Sequence, residues 1–238
     1  MELNIKNSQN SQLQAVIFDL DDTLWPLIPL IHDAEQALFD WLQNYAPTIA
    51  GRHTIASMRE WRAQLIPTNP RFEYDLWALR HTMLTQLFST EDDDLNRVNQ
   101  MADAAMQVFA RARNQVSLYA DVMPGLTELG QHFKLGSISN GFADLSEIGL
   151  ERRFSVSLAA HQFGCAKPDP RIFLAACEAL QVAPQHAVYV GDDVRLDVQG
   201  AQQAGLQAVW MNRAGKVVEH TAQFACADLT ELSKWLRS

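Results

Sequence analysis

The sequence predicts an α/β protein: a doubly wound parallel-sheet core interrupted by an inserted α-helical domain. Three observations predict it. Short apolar runs alternate with helical runs through the C-terminal half, an isolated apolar run near the N-terminus ends in acidic residues, and the stretch between them has helical periodicity with no clear strand. The core is expected to take residues 1–25 and 114–238, and the insert residues 26–113.

The first element is the run from Ala15 to Phe18, followed by Asp19-Leu20-Asp21. It is too short for a core helix and reads as a buried strand with an acidic end. From Pro26 onward the pattern changes, and Ile31, Ala34, Leu38, Trp41, Leu42 and Tyr45 recur at the three- and four-residue steps of an amphipathic helix. The same period returns over residues 54–65, 72–88 and 95–109, with Gly51, Pro67 and Pro70 as breakers. The acidic run Glu91-Asp92-Asp93-Asp94 reads as a helix N-terminus favoured by its dipole. Strand-like runs then appear at 133–139, 156–160, 187–190 and 207–211, with a helical run at 171–180 among them. That alternation signals βαβ units around a parallel sheet, whose ligands bind outside the carboxyl ends of the strands.

Composition narrows the function. Of 238 residues, 47% are hydrophobic and 20% charged, enough for a sizeable core. No run approaches the roughly 18 apolar residues of a membrane span, and the N-terminal residues lack the apolar stretch of a secretory signal, so a cytoplasmic protein is expected. The net charge of −9 argues against nucleic-acid or membrane partners, which need clustered Lys and Arg. An anionic small-molecule substrate would call for a local cationic pocket, which an acidic protein commonly builds with a metal ion. Cys165, Cys177 and Cys226 match neither a zinc site nor a redox pair and read as free, buried thiols.

Three strands end in polar clusters: Asp19-Leu20-Asp21-Asp22-Thr23, Ser139-Asn140-Gly141 and Gly191-Asp192-Asp193. A fourth, Lys167-Pro168-Asp169-Pro170, precedes a helix. If they converge, several carboxylates and one ammonium share a small volume, which calls for a cation; oxygen-only ligation points to Mg²⁺. Two carboxylates two residues apart at a strand end can divide the work, one attacking phosphorus and the other moving protons.

The segments FDLDDTLWP (18–26), ISNGF (138–142), CAKPDPRIF (165–173) and VYVGDDVRLDVQGAQQAG (188–205) resemble, in order, the four motifs of the haloacid dehalogenase-like hydrolases, whose core is Rossmann-like. The resemblance implies Asp19 as nucleophile and metal ligand and Asp21 as general acid and base, with the Asp21 carbonyl on the metal and Thr23 supporting the turn on the substrate-binding side. It further implies that Ser139 and the Asn140 N–H bind phosphate, that Lys167 holds phosphate and nucleophile, that Asp192 ligates Mg²⁺ with Asp193 as a further ligand, and that Asp197 stands behind them. The insert resembles the helical cap that one branch of this family carries between its first two motifs, a cap that closes over the site and excludes water.

Bland readings compete at several positions. Ser139 lies in no G-x-S-x-G elbow and has no partnered histidine, and the seven histidines form no zinc pattern. Trp41, Trp61 and Trp77 are more simply core residues of the insert, while Trp25, four residues from Asp21, is the best placed to stack on an aromatic substrate, with Phe72 or Tyr74 as helpers. Arg195 and Arg213 could face phosphate but read more simply as surface residues. Among the reactions of the family, haloacid dehalogenases do not keep the second aspartate, and no lysine lies between Lys6 and Lys134 to form a Schiff base. The expectation is therefore a Mg²⁺-dependent phosphatase acting through an aspartyl-phosphate on a small phosphate ester, with flavin mononucleotide or 5-amino-6-(5-phosphoribitylamino)uracil suggested by the resemblance of DDTLWP and the length of the insert. A phosphomutase comes second, ahead of a dehalogenase or a non-catalytic binding module.

Overall fold

The computed structural model describes residues 13–238, so the assignment of residues 1–12 to the core lies outside the described residues. The chain forms two compact units. One comprises residues 13–26, Ser117–Gly141 and Gly149–Ser238, and the other Leu27–Val116 and Phe142–Ile148.

The first unit is built on six strands, β1 (Ala15–Phe18), β2 (Lys134–Ser139), β3 (Val156–Ala159), β4 (Ala187–Gly191), β5 (Gln207–Met211) and β6 (Phe224–Cys226). They pair in parallel in the order β3-β2-β1-β4-β5-β6. All four residues of β1 are buried, as a central parallel strand covered on both faces requires. The strand order reverses at β1, which lies between β2 and β4, and this switch point is where open α/β sheets bind ligands. β6 was not expected from the sequence, because three residues carry too little periodicity to read.

One face of the sheet packs Ile17, Ile138 and Tyr189 against Phe173, Ala176 and Leu180 of the helix Pro170–Leu180. That helix starts where Asp169 accepts a hydrogen bond from Arg171 N and Pro170 fills the first turn, and it stops at Gln181, whose φ of 56° is left-handed. Elsewhere in the unit the helices Val122–Leu129 and Leu229–Leu236 meet at Gly125, where an added Cβ would lie 2.5 Å from the Leu229 Cβ. Only glycine allows that approach.

The second unit is helical: α1 (Leu27–Tyr45), α2 (Pro47–Arg52), α3 (Ile55–Leu65), α4 (Leu76–Phe88) and α5 (Leu95–Arg113). Thr54 and Ser57 form a reciprocal capping box at the start of α3, and Asp94 accepts hydrogen bonds from Asn96 N and Arg97 N at the start of α5. The helix expected from Phe72 begins instead at Leu76, because Asp75 caps it by accepting from Ala78 N, and Phe72 lies in a 3₁₀ turn before it. Leu38, Leu42, Leu84, Ala102, Ala105 and Phe109 lead its core. Trp41 stacks on Tyr45 with ring centres 5.1 Å apart and meets Phe88 edge-on. Residues 142–148 join this unit rather than the core as expected: Phe142 packs against Trp77 and Phe109, and the Asn114 side chain donates to Glu147 Oε2 (2.7 Å) and accepts from Asp144 N (3.0 Å).

A buried ion cluster pins α1 to α3 and α4. Glu35, 2% exposed, accepts from Arg59 Nε (2.6 Å) and Arg62 Nη2 (3.1 Å), with Arg80 Nη1 at 3.9 Å. The Arg80 guanidinium lies over the Phe109 ring at 3.6 Å. Burial opposes the Glu35 charge, but the hydrogen bonds from Arg59 and Arg62 outweigh it and hold the carboxyl below its usual range. Among the described residues no helix is long and apolar enough to cross a membrane.

Candidate active site

At the end of β1 the backbone leaves the sheet in a tight loop. Asp19 N still donates to Val190 O (2.8 Å), keeping its carboxylate at the switch point beside β4. Leu24 N returns to Leu20 O (2.8 Å), Asp22 N donates to Trp25 O (2.7 Å), and Asp22 takes a left-handed φ of 56°, which aspartate tolerates better than a branched residue. This places Asp19 and Asp21 on one short turn with different surroundings.

Asp19 is 6% exposed and Lys167 5%. The Lys167 ammonium donates to Asp19 Oδ1, to Asp197 Oδ1 (2.7 Å) and to the Tyr189 hydroxyl (2.9 Å), so its three N–H bonds are all engaged. Burial disfavours the charge on Lys167, but the two carboxylates and Tyr189 more than offset it, and its pKa stands well above that of an ordinary lysine. Asp19 moves up as well: burial raises it most, and Asp197 and Asp21 add to this against the pull of Lys167. Asp192 is pushed up to about 7 by burial first, then by Asp197 and Asp22. Carboxylates here outnumber cations.

Oxygens of Asp19, Asp192 and Asp197 lie within 4.8 Å of one another. That hard, oxygen-only donor set, with two carboxyls driven up by crowding and burial, fits a small divalent cation such as Mg²⁺. The Asp192 backbone is held by Trp210 Nε1, which donates to its carbonyl at 2.9 Å. Asp197 is reachable because position 191 is glycine: a Cβ there would lie 2.3 Å from the Asp197 Cγ.

The structure corrects several expected roles. Trp25 is 0% exposed, so no face of its ring is open to stack on a substrate; its indole N–H donates to Asp21 Oδ1 at 2.8 Å. Thr23 is also fully buried, and its hydroxyl donates to Asp19 Oδ2 at 3.4 Å from behind rather than reaching outward to substrate. Asp193 is exposed and its Oδ1 accepts from Arg195 N (2.8 Å) and Leu196 N (2.7 Å); it caps the π-helical turn Val194–Gln199 and stands outside the acidic group that could hold a metal. Asp197 stands inside that group, with one oxygen on Lys167 and the other accepting from Asp193 N (2.9 Å).

Ser139 ends β2, is 4% exposed, and accepts from Gly141 N through Oγ (2.9 Å). The Asn140 side chain pairs with the Lys167 backbone, donating to its carbonyl (3.0 Å) and accepting from its N–H (2.8 Å), so the second and third polar clusters fix each other. The reading of the sequence missed Tyr189, whose only signal was a tyrosine in an otherwise aliphatic strand; its hydroxyl accepts from Lys167 and donates to Ile138 O at 3.1 Å.

A family model described as haloacid dehalogenase-like hydrolase matches residues 13–205. A 5-amino-6-(5-phospho-D-ribitylamino)uracil phosphatase, YigB, of Escherichia coli strain K12 is 29% identical over 84% of each chain. A glyceraldehyde 3-phosphate phosphatase of Methanopyrus kandleri is 31% identical over 84% of each chain. The crystal structure of a 2-haloacid dehalogenase from Pseudomonas syringae pv. Tomato DC3000 superposes with a TM-score of 0.89 at 38% identity, covering 94% of this chain and 98% of that one.

Proposed function

The chain belongs to the haloacid dehalogenase-like hydrolases, and from that membership and the pairing of Asp19 with Asp21 we propose that it hydrolyses small-molecule phosphate monoesters. The observation that carries this reading is Asp21. A carboxylate two residues beyond the buried Asp19, held by the Trp25 indole N–H, serves a leaving group that needs a proton. A halide needs none, and likeness of fold to a dehalogenase structure does not by itself carry that reaction to this chain.

In the proposed reaction a carboxylate oxygen of Asp19 attacks phosphorus and the ester P–O bond breaks. Asp21, protonated, gives its proton to the departing alkoxide oxygen. The resulting aspartyl-phosphate is then attacked by water as Asp21 takes a water proton back; the bond between phosphorus and the Asp19 oxygen breaks, and inorganic phosphate leaves. Lys167 holds Asp19 in place and sets a positive charge beside the phosphoryl group, while Ser139 and the Asn140 N–H contribute neutral contacts. Asp19 and Asp192, with Asp197 beside them, are the carboxylates that would hold Mg²⁺, joined by the Asp21 carbonyl that the family resemblance implies; the ion would supply charge neutralisation of the phosphoryl oxygens when bound.

The two phosphatase relatives act, by their names, on a phosphorylated ribitylamino-uracil and on a triose phosphate. We favour the first class or flavin mononucleotide, supported by the DDTLWP segment. The test is release of phosphate from p-nitrophenyl phosphate and a panel of esters with and without Mg²⁺, beside halide release from 2-chloropropionate. Mg²⁺-dependent phosphate release that vanishes in Asp19→Asn is expected. Halide release without phosphatase activity would overturn the reaction, and a preference for sugar phosphates over flavin-type esters would overturn the substrate class.

A further inference from the structure

The loop that carries Asp21 is held at two of its carbonyls by the segments around Tyr119 and Arg213, in the same unit. Arg213 Nε donates to Thr23 O at 2.7 Å, and Tyr119 N donates to the next carbonyl, Leu24 O, at 3.1 Å. Both lie between Asp21 and Trp25, so the contacts fix the arc over which the indole reaches back to the Asp21 carboxylate. Arg213 is itself fixed on three sides. Its Nη1 and Nη2 grip the Asp121 oxygens at 3.0 and 2.9 Å, its face lies 4.0 Å from the Tyr119 ring centre, and Asp121 Oδ2 also accepts from Leu229 N at 2.8 Å, the first residue of the C-terminal helix. Burial opposes the Asp121 charge, but Arg213 and the Leu229 N–H prevail and its carboxyl lies below the usual range.

Far from being a free surface arginine, Arg213 has a side chain only 11% exposed, and its planar guanidinium grips the Asp121 carboxylate through two nitrogens while Nε reaches a carbonyl, a fixed fork that an ammonium does not reproduce. We infer that Arg213 is a positioning residue for the proposed phosphoryl transfer: through Thr23 O it fixes the loop that aims Asp21 at the substrate oxygen. The inference rests on the reading of Asp21 given above.

Lysine at this position keeps the charge but not the fork. Arg213→Lys is expected to lower kcat for p-nitrophenyl phosphate about tenfold, the worth of one charge-assisted hydrogen bond, with KM within about twofold of wild type. Guanidinium ion at millimolar concentration is expected to restore part of the kcat of Arg213→Ala. Asp121→Asn, which loosens the grip without removing the arginine, should fall in the same direction by a smaller factor. A second readout needs no turnover: the indole N–H resonance of Trp25, assigned by its loss in Trp25→Phe, is expected to shift in Arg213→Lys. A folded Arg213→Lys protein with wild-type kcat and an unmoved indole resonance would overturn the inference, as would a loss of activity that guanidinium does not rescue and that merely follows a lowered melting temperature. If the wild-type protein releases no phosphate from any ester, the functional reading fails while the indole shift still decides whether Arg213 sets the loop.

Discussion

In the core unit the buried ammonium of Lys167, with the more exposed Lys216 at 4.0 Å from Asp192, shares its surroundings with the carboxylates of Asp19, Asp21, Asp192 and Asp197, whereas in the helical unit one carboxylate, Glu35, faces the guanidinium groups of Arg59, Arg62 and Arg80. Each cluster carries an excess of one sign. The difference lies in where that excess sits. Arg59 is 42% exposed and Arg62 19%, so water screens part of the helical unit's surplus although Arg80 is 8% exposed, while Asp19 and Asp197 are 8% and 2% exposed at their side chains. The carboxyls answer accordingly: Glu35 is held below its usual range, and Asp19 and Asp192 are driven above theirs. The first cluster is a fastener between helices. The second holds more carboxylates than ammonium groups, an excess whose oxygen donors fit a divalent cation.

The largest expected effect tests whether the core carboxylates serve chemistry rather than stability. Asp19→Asn should lower turnover by at least roughly 10³-fold, while the melting temperature of the metal-free protein holds or rises because a buried like charge is gone. A fall of many degrees would break the contrast. Glu35→Gln should do the reverse, losing about 3 kcal/mol, the low end for a broken buried pair since Arg59 is partly solvated. For a chain of this size that is roughly 6–12 °C in thermal melts.

Mg²⁺ should separate the two clusters next. At a hundredfold excess over its Kd it is expected to stabilise the wild-type protein by about 2.7 kcal/mol, to do so equally in Glu35→Gln, and to lose most of this effect in Asp192→Asn. Equal stabilisation of all three would mean the ion binds elsewhere. A smaller effect comes from acid. Because the Glu35 carboxyl is depressed in the folded state, its contribution is complete above the unfolded carboxyl pKa of roughly 4.3 and is lost as pH falls through the folded value. The gap in melting temperature between wild type and Glu35→Gln should therefore narrow between pH 7 and pH 3.5; a constant gap would show that Glu35 acts through packing alone.

The sequence carried the sheet and the loop from Asp19 to Trp25 further than the clusters that distinguish the two units. β1 and its acidic end were legible because a fully buried parallel strand writes an uninterrupted apolar run. Lys167, Asp192 and Asp197 were legible through their motifs. What could not be read were partnerships across long separations: Lys167 with Tyr189, Glu35 with Arg59, Arg62 and Arg80, and Arg213 with Asp121 and Thr23. Each joins residues whose spacing follows no helix or strand period, so nothing local marks them. Residues 142–148 escaped for the same reason, since Phe142 is drawn to Trp77 and Phe109 by ring packing that one position in a polar loop does not announce.

Trp25 offers the finest test, because two roles assign it opposite kinetic signatures. A tryptophan that stacked on substrate would raise KM when trimmed and leave the chemistry alone. The structure gives it no exposed face and sets its indole N–H on Asp21 Oδ1 at 2.8 Å, so its effect should run through the carboxylate proposed to transfer protons. Trp25→Phe removes one hydrogen bond to that group and little apolar area. A fall of about fivefold in kcat, near 1 kcal/mol, with KM unchanged is expected from steady-state assays on a phosphate ester. A raised KM at constant kcat would return Trp25 to the substrate pocket and leave Asp21 held by other contacts.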